Sequence, residues 1–410
     1  MKKIEIENYK GVRDFYPDEM FIQDYINSVW HAVLQSYGYE HYSASILEYS
    51  ELYEGKTSNE IVSEQTYNFT DRGGRRITLR PEMTPTVTRM VAKKQKSLSF
   101  PLRWYSIPNV FRYERPQKGR LREHWQLNVD IFGLDNVYAE LEIIEIAYDI
   151  MHKFGLTEKD FVIKINDRKI IQSIIKDLKL DSQKEFEFKK LLDKKDKIAD
   201  FNDQMFKIIG KPFDQTISPN SLINKIIDKL NKRNIFNVVF EPLLIRGFDY
   251  YTDLVFEIYD TNPENSRSLF GGGRYDNLLD VYGGQKIGTV GFGMGDVTIK
   301  ESLQIRNLLP QKISPAHIYI GTLDDSYFDF ACNLAKQIRA DGVDVVVNYE
   351  KRKISDQIKK AEKLKIPFFI AVGEEEIQNK NFKMKNMKNG SEKKITAEQV
   401  AEFVKNNILN

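Results

Sequence analysis

Residues 123–132, Glu-His-Trp-Gln-Leu-Asn-Val-Asp-Ile-Phe, alternate polar and apolar from Gln126 onward. A β-strand sends successive side chains to opposite faces, so Leu127, Val129 and Ile131 predict a core face and Gln126, Asn128 and Asp130 a polar one. A second β-type run, Val110 to Glu114, precedes it across a tip holding Arg115, Lys118, Arg120 and Arg122 around Gly119. Read as a strand, that run places Arg112 and Glu114 on one face. The polar face of such a hairpin is, by pattern alone, either a solvated sheet surface or a cleft floor. A floor carrying an arginine fork, two carboxylates and two amides could hold a polyanion and a zwitterion together.

The surroundings predict an antiparallel sheet. A helix is expected over Pro17 to Tyr37, with Phe21, Tyr25, Val29 and Val33 as its buried stripe. Short β-type runs follow at 66–70, 76–79 and 103–107, with Asp71-Arg72-Gly73-Gly74 as a hairpin turn between the first two. An amphipathic helix spans Ala139 to Phe154. Residues 167–233 turn rich in Lys and Glu, with helical spacing at Ile170, Ile174 and Leu178, and predict a helical insertion. Strand-like segments return at 238–245, 254–259 and 268–272. After Leu309-Pro310 the pattern alternates strand and helix: 317–321, a helix 327–339, 343–347, a helix capped by Ser355, then 368–372. That order predicts a small α/β domain on a parallel sheet. The whole reads as α+β with two domains, 1–312 and 315–410.

Composition excludes several classes. No apolar run approaches the roughly 18 residues of a membrane span. One cysteine, Cys332, allows no internal disulfide and no thiolate zinc cluster. The five histidines are scattered without ligand spacing, so no metal site is expected. A reducing, cytoplasmic setting fits. A formal charge of +2 does not announce a nucleic-acid binder, so any basic surface must be local.

The stretch Phe111-Arg112-Tyr113-Glu114-Arg115-Pro116-Gln117-Lys118-Gly119-Arg120 resembles motif 2 of class II aminoacyl-tRNA synthetases in its histidyl version. Arg246-Gly247-Phe248-Asp249-Tyr250-Tyr251, followed by Val255-Phe256-Glu257, is similar to one histidine-specific signature, and Gly271-Gly272-Gly273-Arg274-Tyr275-Asp276 to another. Gly11-Val12-Arg13-Asp14 and Thr78-Leu79-Arg80-Pro81-Glu82-Met83-Thr84 also fit the histidyl family. Each segment alone has a bland reading, as a flexible turn, a strand with core tyrosines or a helix start. Their occurrence in the family's order across nearly the whole chain is far more specific.

The resemblance implies a class II synthetase sheet flanked by helices, with a helical insertion and a C-terminal anticodon-binding-type α/β domain. It implies activation of histidine with ATP and Mg2+, release of pyrophosphate, and transfer to tRNA(His) by a homodimer without membrane contact. By the same resemblance Arg112 and Arg246 hold the α-phosphate and act in catalysis. Glu82, Thr84 and Gln126 face the α-amino group, and Asp130, Tyr250, Tyr251 and Tyr275 the imidazole. Glu114, Arg120 and His124 border ATP, while Arg115, Lys118 and Arg122 meet the tRNA. Lys189, Lys190, Lys194, Lys195 and Lys197 of the insertion, and Lys351-Arg352-Lys353, offer further cations.

Three departures stand out. After Gly291-Phe292-Gly293-Met294-Gly295-Asp296 the family usually has Glu-Arg, and here Val297 and Thr298 follow. His124 stands where a phenylalanine usually stacks on adenine, and Ser45 stands where motif 1 usually has proline. A non-catalytic regulatory subunit of ATP phosphoribosyltransferase, or a dead tRNA-binding paralogue, is the rival reading. Retention of Arg112, Glu82, Arg246 and the C-terminal domain argues against both.

Overall fold

The computed structural model describes residues 6–408 apart from 55–64, 118, 194, 196, 197, 247–249, 266 and 315. The chain divides into two compact units, residues 1–310 and 311–410.

In the first unit the strands are β1 (Glu40–His41), β2 (Leu47–Tyr49), β3 (Tyr67–Thr70), β4 (Arg76–Leu79), β5 (Leu102–Ser106), β6 (Asn109–Phe111), β7 (Glu123–Phe132), β8 (Phe161–Asp167), β9 (Val238–Phe240), β10 (Leu254–Asp260), β11 (Ser268–Arg274) and β12 (Thr289–Gly295). The main sheet runs β1-β5-β7-β12-β11-β10-β8-β9, with β6 also paired to β7. Its six central strands are antiparallel neighbours, and the short edge strands β1 and β9 join in parallel. A smaller sheet orders β2-β4-β3. There the turn foreseen at 71–74 closes a hairpin: Asp71 Oδ1 accepts from the backbone of Gly73 and Arg75, and Gly74 takes φ 76°.

One face of the main sheet carries the core. Leu127, Val129 and Ile131 of β7 are fully buried with Val290, Phe292 and Met294 of β12. Helices Pro17–Ser36, Tyr138–Lys153 and Ser221–Asn231 cover that face and contribute to the same cluster. In the first helix the buried stripe is Ile26, Val29, Trp30, Val33 and Leu34. The expected Phe21 and Tyr25 are only half-buried, because 3.6-residue periodicity rotates a strict four-residue ladder away from the core.

The connection from β8 to its parallel neighbour β9 holds the Lys/Glu-rich region. Helices Arg168–Asp177, Ser182–Asp193 and Phe201–Ile209 form their own core around Ile171, Ile175, Phe188, Leu191, Leu192 and Met205. Ser221–Asn231 instead joins the main core, as a crossover helix between parallel strands must. The strand expected over 238–245 stops at Phe240.

The second unit has β13 (Ile318–Thr322), β14 (Val345–Val347), β15 (Phe368–Val372), β16 (Phe382–Asn386) and β17 (Glu392–Ile395), ordered β14-β13-β15-β16-β17. The first three are parallel, as foreseen, but β16 and β17 extend the sheet antiparallel. Their alternation is masked by exposed lysines. Ser355 does not cap: the helix Ile354–Lys363 is preceded by Lys353 at the cap position, so Ser355 lies inside the first turn. No described helix is long and apolar enough to cross a membrane.

Candidate active site

The face of the main sheet opposite the core is a trench floored by glycine. Asp130 of β7 lies opposite Gly291, Asn128 opposite Gly293 and Gln126 opposite Gly295. Gly291 and Gly293 in turn face Gly273 and Gly271 of β11, and Gly271 faces Glu257 of β10. The middle of the floor is therefore bare backbone, flanked by amides and a carboxylate on one side and Glu257 on the other. The bareness is required. A Cβ on Gly291 would fall 2.2 Å from Asp130 Oδ1, and one on Gly293 2.2 Å from Gln126 Nε2. One on Gly271 would fall 2.9 Å from the Arg246 guanidinium.

Above this floor is a cavity of about 120 Å³ lined by Glu82, Thr84, Arg112, Gln126, Asn128, Asp130, Arg246, Tyr250, Tyr251 and Tyr275. Its polar groups are already linked. Gln126 Nε2 donates to Asn128 Oδ1 at 3.3 Å, and Asn128 Nδ2 donates to Asp130 Oδ2 at 2.8 Å. The Tyr275 hydroxyl donates to Asp130 Oδ1. The Tyr250 hydroxyl donates to Glu82 Oε2 at 3.2 Å, which ties the wall before helix Thr84–Lys94 to the tyrosine cluster. Burial pushes the Asp130 carboxyl up to about 7, against the hydrogen bonds from Tyr275 and Asn128 that pull it down. Burial also drives the Tyr250 and Tyr275 hydroxyls well above their ordinary range, so they stay protonated donors.

A second cleft, about 590 Å³, adjoins it. Its lining includes Arg112, Glu114, Arg120, His124, Glu257, Tyr259, Arg267 and Thr298. Arg112 lines both spaces. Its Nε donates to the Pro81 carbonyl at 2.8 Å, which fixes the fork at the junction. Arg246 is the second junction cation. It pairs with Glu257 and donates to the Gly271 carbonyl at 3.3 Å. Burial works against its charge, but Glu257, with smaller help from Tyr251, outweighs it and leaves the guanidinium more basic than usual. Tyr259 donates to the other Glu257 oxygen at 2.6 Å. Farther out, Arg120 pairs with Glu114 at 3.1 Å. His124 is pushed down to about 3 by burial and by the charges of Arg112 and Arg13, so its imidazole is neutral. A neutral ring can lie against a base, though it carries no charge for a phosphate.

The sequence reading is corrected in one respect here. β6 ends at Phe111, so Arg112 and Glu114 do not share a strand face. Past Phe111 the chain leaves β7: Tyr113 N–H donates to the Gln65 carbonyl at 2.7 Å, and across the tip Arg122 N–H donates to the Gly11 carbonyl at 2.8 Å. Arg112 and Glu114 still reach one cleft, but through loop geometry rather than strand alternation. The Gly11–Asp14 segment gains a role too. Arg13 pairs with Asp296 at 2.7 Å, and Asp296 accepts from the Trp125 backbone at 3.0 Å, anchoring β7 to the helix after β12.

The residues foreseen for RNA fare unevenly. Arg115 is exposed. Arg122 lies over the Tyr113 ring at 4.1 Å and donates to the Tyr9 hydroxyl at 2.8 Å, so it is built into the loop. Lys189 pairs with Glu185 at 2.5 Å and Lys195 with Glu241 at 2.8 Å. Lys351 pairs with Asp325, and Arg352 with Glu350 at 2.6 Å. Lys118, Lys194, Lys197 and residues 247–249 lie outside the described residues. Period-two alternation had already put Asn128 on the polar face, though without a role of its own; Glu257 was read only as part of a signature, and Arg267 was missed as a site residue. Nothing local could have named Arg267.

Comparisons with known proteins bear on the family and the fold. A family model described as histidyl-tRNA synthetase matches residues 11–204 and 213–297, and an anticodon-binding domain model matches 316–407. A curated histidine–tRNA ligase from Leptospira biflexa is 42% identical over 413 residues, covering 94% of each chain. One from Thermoplasma volcanium is 32% identical, covering 98% of this chain and 99% of that one. Among solved structures, histidyl-tRNA synthetases from Nostoc (TM-score 0.79, 21% identity) and S. aureus (TM-score 0.74, 24% identity) each cover 98% of this chain and 100% of theirs. At those identities they speak for the fold.

Proposed function

The chain belongs to the histidyl-tRNA synthetase family, and from that premise we propose that it joins histidine to ATP and passes it to tRNA(His), with the small cavity as the amino-acid site and the adjoining cleft as the ATP site. The observation that carries this is the junction. Arg112 borders both spaces, and Arg246 lines the small cavity while its partner Glu257 lines the cleft. A carboxylate from one cavity and a phosphate from the other would meet between two fixed guanidiniums.

The histidine carboxylate attacks the α-phosphorus. A new oxygen–phosphorus bond forms, the bond to the β-phosphate oxygen breaks, and pyrophosphate leaves. Arg112 and Arg246 hold the α-phosphate and the incoming carboxylate and balance the charge that develops. Glu82 and Gln126, with Thr84 nearby, take the α-amino group. Asp130 accepts from one imidazole nitrogen, with Tyr250, Tyr251 and Tyr275 walling the ring. An imidazole carries a donor and an acceptor on opposite edges, and a hydrogen-bonding site rejects isosteres that leave its buried groups unpaired. Glu114, Arg120 and His124 border the nucleotide. Magnesium arrives with the triphosphate as part of that substrate, and the cleft carboxylates Glu114 and Glu257 are oxygen donors of the type it accepts. In the second step a terminal ribose hydroxyl of the tRNA attacks the acyl carbon and AMP leaves.

Residues 1–312, with the insertion at about 167–233, serve as the catalytic domain. Residues 315–410 bind the anticodon region, as the match over 316–407 supports. Arg115, Lys118 and Arg122 face the acceptor end. The enzyme acts as a cytoplasmic homodimer, and the exposed Ile46, Leu47, Tyr49 and Phe69 around the small sheet offer an apolar surface for the second copy.

The test is histidine-dependent ATP–pyrophosphate exchange. Wild type is expected to exchange with histidine alone. Arg246→Ala should lower kcat by a factor on the order of 10² to 10³. A folded dimer that fails to exchange, with or without tRNA, would sink the reading.

A further inference from the structure

Position 298 is neutral, yet the cleft beside it must accommodate a triphosphate. A cation on that side stands at the entry to β11. Just before Ser268, Arg267 lines the same cleft as Thr298. A Cβ on Gly119 would lie 3.8 Å from Arg267 Nη1 and 3.9 Å from the Thr298 methyl, so the two side chains border one space.

An irregularity in the sheet accounts for where Arg267 sits. Ile258 of β10 pairs with Phe270, but the next residue, Tyr259, pairs with Ser268. Leu269 is thus an extra residue on β11, and a bulge of this kind redirects the side chains beyond it. Leu269 packs against the main core and also lines the cleft, beside Ser268 and Arg267. The Thr298 hydroxyl donates to the Leu269 carbonyl at 2.7 Å. The helix-start threonine therefore holds the bulge that presents the arginine. Across the cleft, Arg267 Nη2 donates to Gln117 Oε1 at 3.3 Å, and Gly119 N–H donates to Glu301 Oε1 at 3.0 Å. Gln117 is thereby tied to Arg267 and Gly119 to Glu301, and Arg120 and Arg267 line the same cleft.

We propose that Arg267 binds the outer phosphates of ATP and that Thr298 is its positioning residue, acting through the Leu269 bulge. This rests on the cleft being the ATP site. Arg112, shared by cleft and cavity, and Arg246 of the cavity serve the α-phosphate. Arg267 and Arg120 supply the charge for the β- and γ-phosphates, with Arg267 replacing its contact to Gln117 by one to phosphate. A guanidinium suits this exchange because its planar fork serves an amide oxygen or phosphate oxygens equally well.

The experiment compares ATP with AMP, which lacks the outer phosphates, in equilibrium titrations of the full-length chain. Arg267→Ala should weaken ATP on the order of tenfold to a hundredfold, the loss of one charge-assisted contact, and leave AMP within about twofold. In exchange assays KM for ATP should rise while KM for histidine holds. Arg267→Lys should recover part of the loss. Thr298→Val should reproduce a smaller, equally ATP-selective defect, and Thr298→Ser should restore wild-type behaviour. Equal weakening of ATP and AMP by Arg267→Ala would mean the arginine only shapes the turn, and no weakening would mean it takes no phosphate. Either result overturns the proposal while leaving the ATP site standing. Wild type that binds neither nucleotide overturns both.

Discussion

The small cavity and the outer cleft differ in how they are built. In the cavity, Asp130 and Asn128 are almost fully buried, and hydrogen bonds from Tyr275 and within β7 fix them before any ligand arrives. In the cleft, the Arg120 side chain is 49% exposed and its partner Glu114 13%. Discrimination of one small zwitterion needs desolvated groups whose misfit is costly. A polyanion needs charge, which works at longer range and tolerates looser geometry but is screened by salt. Substitutions in the cavity should therefore act through shape and protonation, and substitutions in the cleft through charge.

The sharpest way to break this contrast is Gly291→Ala. The new Cβ would meet Asp130 Oδ1, held by Tyr275, at 2.2 Å and the Val129 backbone carbonyl at 2.6 Å. Displacing Asp130 by even an ångström is expected to cost on the order of 10²-fold in kcat/KM for histidine, with ATP affinity near wild type. Loss of both alike would mean the two sites are not separable.

Asp130→Asn tests the protonation half. The carboxyl titrates near 3.8 when solvated and near 7 in the folded chain. Between those values the folded state holds the additional proton, so wild-type stability declines as pH rises through the window. Above about 7 the whole cost of the buried charge is present. The amide carries no such cost. Relative to wild type, Asp130→Asn should gain stability between pH 4.5 and 8, by a few kcal/mol at most on the order of the shift, read from urea midpoints at the two pH values. Its KM for histidine should rise roughly tenfold or more at pH 8, since one charge-assisted hydrogen bond is lost. Wild-type KM for histidine should climb below about pH 7, where a protonated Asp130 meets a protonating imidazole. Parallel pH profiles of stability in the two proteins would refute the buried-charge account.

Glu114→Gln is expected to do least. It breaks a partly exposed pair with Arg120, and such pairs contribute under about 1 kcal/mol. ATP KM should change less than about fivefold, histidine KM should hold, and added salt should shrink the difference. A larger effect that persists in high salt would place Glu114 in direct contact with the nucleotide.

Much of the architecture was legible in the residues because it is local. Alternation in 126–131 separated core from floor without any knowledge of the other strands. The Asp71–Gly74 turn announced itself by composition, whereas the glycine run 271–273, which alone reads as a flexible turn, lies inside β11. What was misread also has a local cause. Val110 to Glu114 has β-type composition throughout, yet pairing with β7 lasts only from Asn109 to Phe111, because beyond it Tyr113 bonds to the Gln65 carbonyl and the opposite arm, at Arg122 and Glu123, bonds to Gly11. The antiparallel β16 and β17 hid behind lysines on their exposed faces.

The sequence by itself determined which side chains each strand and helix would offer, since a backbone's period is set by its own dihedral angles. Only the tertiary structure decided which of those side chains share a space. Tyr275 reaches Asp130 across 145 residues and Tyr250 reaches Glu82 across 168. Arg267 enters the cleft through a one-residue slip between β10 and β11. Cavity shape, charge pairing and the pKa of Asp130 depend on the distance between groups remote in the chain, and those distances exist only once the sheet has closed.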